Sequence, residues 1–261
     1  MLITQILIAT LAAGIGSVWL AALLGYYALA RFNHQLLSLA AGALLATAFM
    51  HLLPEAFEDA AKAGIEPHTL FTALLAGLVF FFLLDKAELY HHGHEHGHDH
   101  EAHHGHEHHG HSHGAQGGGS WAVLFGDSVH AFGDGIVIAA AFMANAQLGW
   151  AAALAVLAHE VPHHMGDLIV LGKNKRTAFI KVTLAGMVTA IGGVAGFALL
   201  ARLSAYLPFF LVVAGSSFIY VALADLIPQL QRRMSLGETV KQVAWLLAGM
   251  LLVIAVTGMS H

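Results

Sequence analysis

The chain has 261 residues, 57% of them hydrophobic and only 10% charged, a balance that excludes a soluble globular domain. It has no cysteine, which excludes disulfides and thiolate metal sites. The formal charge of −5 decides little, because thirteen of the 21 histidines sit in one hydrophilic segment whose charge follows pH.

Taken in chain order, the apolar runs predict eight membrane spans, over roughly 2–29, 34–57, 68–89, 120–144, 148–171, 178–201, 206–230 and 240–259. The first run has no basic leader and is too long for a cleaved signal, so it reads as the first span. Connections are short except for 90–119, and the fourth span opens after a flexible GAQGGGS joint. The expectation is an all-α membrane protein, residues 1–261 forming one transmembrane domain with one long loop.

With both termini outside, nine of the eleven Lys and Arg fall on inner loops, leaving Lys62 and Arg202 outside. Retention of basic loops in the cytoplasm predicts such a bias. The same orientation places the 90–119 loop in the cytoplasm. We take the membrane to be a bacterial inner (plasma) membrane. A weak internal match joins His51-Leu-Leu-Pro54-Glu55 in the second span to Asp225-Leu-Ile-Pro228-Gln229 in the seventh. Because those spans run in opposite senses, the match suggests a 3+2+3 inverted repeat with the fourth and fifth spans central.

Ionisable groups concentrate on those two central spans. His130 and Asp134 stand four apart, with Asp127 three before His130, so the three share a helical face. On the fifth span His159 and His163 form one such pair, and Glu160 and His164 another. Imidazole and carboxylate are donors for zinc and similar ions. Charged groups at mid-membrane are costly unless they pair, line water or bind something. A lone buried ion pair would explain His130 with Asp134, but not a second set at comparable depth. We therefore expect a metal site between facing helices, made of His130, Asp134, His159, Glu160, His163 and His164. Pro162 should free the carbonyl of Ala158 beside it. His51, Glu55 and Asp225 are candidate positions on the way in or out. Asp127 and Asp167 are candidate exit carboxylates or supports for the ligands, unless they are simply solvated helix ends.

The long loop carries His91, His92, His94, His96, His98, His100, His103, His104, His106, His108, His109, His111 and His113. Almost no apolar side chain lies among them, so no core can form there. An internal, interrupted run argues against an affinity tag and for a disordered metal buffer. Two rival functions stay open. HEVPH, 159–163, matches the H-E-x-x-H signature of zinc proteases, although Pro162 interrupts the regular helix that signature needs. Exporters of the cation-diffusion type also use H-x-x-x-D pairs, but normally with six spans and a cytoplasmic C-terminal domain.

At these residues the chain resembles the ZIP (Zrt-, Irt-like protein) family of divalent-metal transporters. Its fourth-helix H-N-x-x-D-G is matched by His130, Asp134 and Gly135. Its fifth-helix H-E-x-P-H-E-x-G-D is matched by His159, Glu160, Pro162, His163, Gly166 and Asp167. The resemblance implies eight spans and movement of metal into the cytosol by a transporter, not an enzyme. Two positions depart: the family asparagine is Ala131, and its second glutamate is His164. Both are tied in the family to a second ion, so the resemblance implies one principal site from His130, Asp134, His159 and His163, with Glu160 and His164 holding a second ion weakly. Nitrogen donors favour zinc over manganese. The expected partners are the divalent ion, as cargo, and the bilayer, with a homodimer allowed; no organic cofactor and no nucleic acid are expected. Uptake should weaken as pH falls through about 6.5, where protons compete for imidazole.

Overall fold

A computed structural model describes residues 1–27, 33–93, 118–170, 175–230 and 235–258. Among the described residues every regular element is helical, and long helices occupy the eight places that the apolar runs predict. We number them α1 (2–27), α2 (33–62), α3 (Pro67–Gly93), α4 (Gly118–Ala144), α5 (Ala146–Val170), α6 (Lys175–Leu200), α7 (207–230) and α8 (Leu236–Gly258).

The loop between α3 and α4 is shorter than its composition suggests. Helix α3 runs on through His91 and His92 to Gly93, and α4 starts at Gly118, inside the glycine run read as a joint. Each helical glycine costs about 1 kcal/mol relative to alanine, a penalty that the long apolar run after it outweighs. The remaining loop histidines lie at 94–117, outside the described residues, as do the side chains of His91 and His92.

Seven of the helices are long and apolar enough to cross a membrane. Helix α5 is long enough but not among them, since His159, Glu160, His163, His164 and Asp167 all fall on it. Its position explains how this is tolerated: α1, α2, α4, α6 and α8 all pack against it, and polar groups screened from lipid lose most of their penalty. Helices α3 and α8 are peripheral, with 11% of their apolar windows buried against 67% for α2. Large side chains such as Phe71, Leu75, Leu247 and Leu251 stand exposed on them.

Close backbone contacts set the arrangement around α5. A Cβ on Gly135 of α4 would fall on the carbonyl oxygen of Thr189 in α6, and one on Gly192 of α6 would fall on that of Phe132. Gly42 of α2 and Gly249 of α8 meet Leu246 and Leu39 in the same way. In each pair the missing side chains let two helices touch main chain to main chain, a packing mode common in lipid. A single residue, Asn145, joins α4 to α5, and its Oδ1 accepts the Leu148 N–H at 2.7 Å, capping the new helix. The turn is therefore tight, and the two helices lie antiparallel side by side.

Helices α2 and α7 each contain a π-turn, Ala48–Leu52 and Val221–Leu226, just before Leu53-Pro54 and Ile227-Pro228. In both, the residue preceding proline donates its N–H to the carbonyl five back, Leu53 to Ala48 and Ile227 to Ala222. Proline cannot donate, and its ring crowds the carbonyl four residues back. Widening the turn relieves that clash without ending the helix. These breaks coincide with the two segments that match in sequence.

Candidate metal centre

The tight turn at Asn145 brings the polar faces of α4 and α5 together. His130 and Asp134 are one helical turn apart on α4, and His159 and Glu160 are adjacent on α5, at the same level across the interface. Nε2 of His130, Nε2 of His159, Oδ2 of Asp134 and Oε1 of Glu160 lie within 4.8 Å of one another. Five of the six separations are 3.2 Å (His159–Asp134), 3.3 Å (His130–His159), 3.4 Å (His159–Glu160), 3.5 Å (His130–Glu160) and 3.8 Å (His130–Asp134). A zinc ion held tetrahedrally at about 2.0–2.1 Å from each donor fixes donor–donor edges near about 3.3–3.4 Å. An octahedral magnesium site at similar bond lengths needs edges of about 2.9 Å. The five separations are closer to the tetrahedral edge than to the octahedral one.

Its electronic arrangement also suits a cation. Nδ1 of His159 lies 3.1 Å from the carbonyl of Ala155, one turn back on α5. A carbonyl only accepts, so Nδ1 carries the hydrogen and the lone pair stays on Nε2, toward the cluster. Phe218 of α7 covers that ring edge-on at 6.4 Å between centroids. Asp134 Oδ2 and Glu160 Oε1 are buried and accept no hydrogen bond among the described residues. Two anionic oxygens and an imidazole lone pair converging in a buried space are mutually repulsive unless a cation sits among them.

Of the six expected ligands, His163 lies outside this set of four, where the resemblance implied it, and Glu160 lies within it. Four residues along α5 advance about 6 Å, and the His163 ring lies 5.8 Å from that of His130, against 5.6 Å for the His159 ring. There His163 forms a second group with Asp127 and Glu160, its Nδ1 3.6 Å from Asp127 Oδ1 and 3.9 Å from Glu160 Oε1. The His163 side chain is 43% exposed, against 3% or less for Asp127, Asp134, His159 and Glu160. His164 is fully buried, with Nε2 2.9 Å from Glu160 Oε2. Ala131 is buried and supplies no donor.

The other candidates stand apart. His51 lies in the π-turn of α2, where its Nε2 meets Thr257 Oγ1 of α8 at 3.1 Å, and Glu55 opens the following segment. Neither belongs to the two groups of converging ligands. Asp167 and Asp225 fall in α5 and α7, but their side chains lie outside the described residues. The contributions of the Ala155 carbonyl and Phe218 were not read from sequence. The first is implied by any histidine four residues beyond a helical carbonyl; the second depends on how α7 packs.

The geometry departs from the protease reading, in which both histidines of H-E-x-x-H hold one ion while the glutamate stays free to activate water. Here the glutamate is in the donor set and the second histidine is outside it. A family model described as ZIP Zinc transporter matches residues 85–257. The chain belongs to the ZIP family. It is thus a multi-pass membrane protein of a transporter family, not of an enzyme family. It is 34% identical over 134 residues to Zinc transporter foi of Drosophila melanogaster, covering 50% of this chain and 19% of that protein. It is 35% identical over 140 residues to Zinc transporter ZIP10 of Danio rerio, covering 50% and 16%. A longer match, 27% identical over 236 residues, is to Zinc transporter ZIP13 of Pongo abelii, covering 84% and 65%. The chain therefore spans less than a fifth of the length of the first two relatives.

Proposed function

We propose that this ZIP chain carries divalent transition-metal ions, zinc first among them, across a membrane into the cytosol. The observation that carries the reading is the donor cluster of His130, Asp134, His159 and Glu160, five of whose six edges, at 3.2–3.8 Å, fit a four-coordinate ion of zinc size. The ion is cargo: it exchanges water for two imidazoles and two carboxylates, and leaves when helices move around the site. The Lys and Arg distribution supports outward termini, with the end of α5 toward the cytosol. The matched π-turns of α2 and α7 support a 3+2+3 inverted repeat. The bilayer would cover the apolar outer faces of α3 and α8, and a second copy of the chain is the other expected partner. The histidine-rich loop acts as a cytoplasmic metal buffer. The relatives named above are animal proteins, so the bacterial inner membrane read from the sequence draws no support from them.

The test is radiolabelled zinc flux in vesicles of known orientation, with iron, manganese and cadmium as competitors. Saturable flux toward the cytoplasmic face, lost in Asp134→Ala, is expected. Undiminished flux in that variant, with the protein folded, would refute the assignment.

A further inference from the structure

Resting on the reading above, we infer that His164 is a positioning residue that sets ion specificity. It keeps one oxygen of Glu160 to itself, so that the ion meets a single carboxylate oxygen there rather than two. The two oxygens have different neighbours. Oε1 lies 3.4 and 3.5 Å from the ring nitrogens of His159 and His130. Oε2 lies 2.9 Å from Nε2 of His164, closer than any of the five separations given for the cluster.

His164 is itself no ligand in this arrangement. It belongs to neither group of converging donors, although its side chain is fully buried beside that of Glu160. It stands one turn beyond Glu160 on α5, and that spacing alone brings its ring onto the carboxylate. A carboxylate oxygen only accepts, so a contact of 2.9 Å requires the hydrogen on Nε2 of His164. A ring nitrogen that carries hydrogen has no lone pair for a metal. The same atom cannot hold Oε2 and bind an ion at once.

The number of oxygens on offer decides which ion fits. Zinc is satisfied by four donors in a tetrahedron, with imidazole nitrogen among them. Ions that prefer oxygen and a higher coordination number, manganese among them, gain from a carboxylate that turns both oxygens to one ion. With Oε2 held by His164, the cluster offers four donors, two of them nitrogen. With Oε2 released, Glu160 supplies a fifth. An apolar side chain at 164 would release it. Glutamine there, which has amide N–H donors, would not.

The test compares the initial flux of radiolabelled manganese and zinc in vesicles of full-length wild type, His164→Leu and His164→Gln. All three carry the same histidine-rich loop, so its binding cancels in the ratio of the two ions. His164→Leu should raise kcat/KM for manganese relative to zinc by about tenfold or more, and His164→Gln should stay within about threefold of wild type. A residue needed only for packing would lower both fluxes together and leave the ratio where it was. An unchanged ratio in His164→Leu would overturn the inference, and so would equal shifts in the two variants. Circular dichroism checks that each variant keeps wild-type helicity, with His164→Ala as the substitute if the leucine form does not fold. A second measurement reads coordination directly, from cobalt(II) bound to full-length protein whose thirteen loop histidines are replaced by serine. Tetrahedral cobalt absorbs visible light far more strongly than cobalt with a fifth or sixth ligand. The spectrum should be intense in that background and with His164→Gln, and pale with His164→Leu. Two equivalents of cobalt, falling to one in His164→Leu, would make His164 a ligand and overturn its positioning role. Absence of saturable flux in wild type, with the spectral change intact, would end the proposed transport and leave the role of His164 standing. No cobalt bound in any of the proteins would overturn both.

Discussion

The exchange of roles between Glu160 and His163 gives the sharpest prediction. Four-donor structural zinc sites hold the ion with about 10–16 kcal/mol, or about 2.5–4 kcal/mol for each donor. At about 1.4 kcal/mol per tenfold, losing one donor from the four-donor cluster weakens zinc about 60- to 700-fold. Glu160→Gln keeps the side chain's size and one neutral oxygen, so its loss belongs at the lower end, about 100-fold. His163 lies outside that cluster, and His163→Ala should change equilibrium affinity by no more than a few-fold. Zinc flux in His163→Ala should nevertheless fall, since this side chain belongs to the second group, with Asp127 and Glu160. The assay is zinc titration against a competing chelator in detergent, paired with vesicle flux and with circular dichroism as the check on folding. Equal affinity losses in the two variants, or a larger one in His163→Ala, would show that the tetrahedron is wrongly composed.

Three further outcomes follow from the packing and the loop. Gly135→Leu should drive a side chain into the Thr189 carbonyl and lower the melting temperature, with overpacking costs of about 1–3 kcal/mol. Gly133→Ala, where nothing lies within 4 Å, should leave the temperature unchanged or raise it slightly, and a thermal-shift assay separates the two. Ser235 and Glu238 form a reciprocal cap at the start of α8, with Ser235 N–H and O–H both 2.9 Å from Glu238 Oε2; Ser235→Ala should speed hydrogen exchange in the first turn of α8 and nowhere else. Deleting 91–113 should preserve zinc flux in vesicles and alter only its response to cytosolic metal, and abolished flux would mean that the loop takes part in transport.

Much of this architecture is legible in the residues because lipid imposes few solutions: an apolar run of sufficient length becomes a helix, and the eight places were readable from that alone. The facing of α4 and α5 was also legible, since only three residues separate the predicted spans and both carry polar groups at helical spacing. Choosing among Glu160, His163 and His164 was not. Spacing along one helix places His159 and His163 on a common face, but the height of His130 and Asp134 on the neighbouring helix decides which α5 residues they meet. That height depends on the Asn145 turn and on the contact between Gly135 and Thr189, which are tertiary facts. The extension of α3 and α4 into the loop was hidden for a different reason: glycine and histidine composition argues against helix locally, and each helix simply continues past the end of its apolar stretch.

The paired π-turns carry a consequence for how this chain tolerates change. Each one amounts to a single surplus residue wound into an otherwise regular helix, and that surplus sets the phase of everything beyond it. Deleting one residue from 48–52 while replacing Pro54 would keep that phase, whereas replacing Pro54 alone and letting α2 relax to an ordinary helix would turn the Leu53–Lys62 segment by about 100°. Leu53, Ala56 and Ala60, now facing inward, would swing out, and the acidic positions would be carried round toward their places. Whether that surplus residue stays wound into the π-turn therefore decides which side of the far end of α2 looks into the protein.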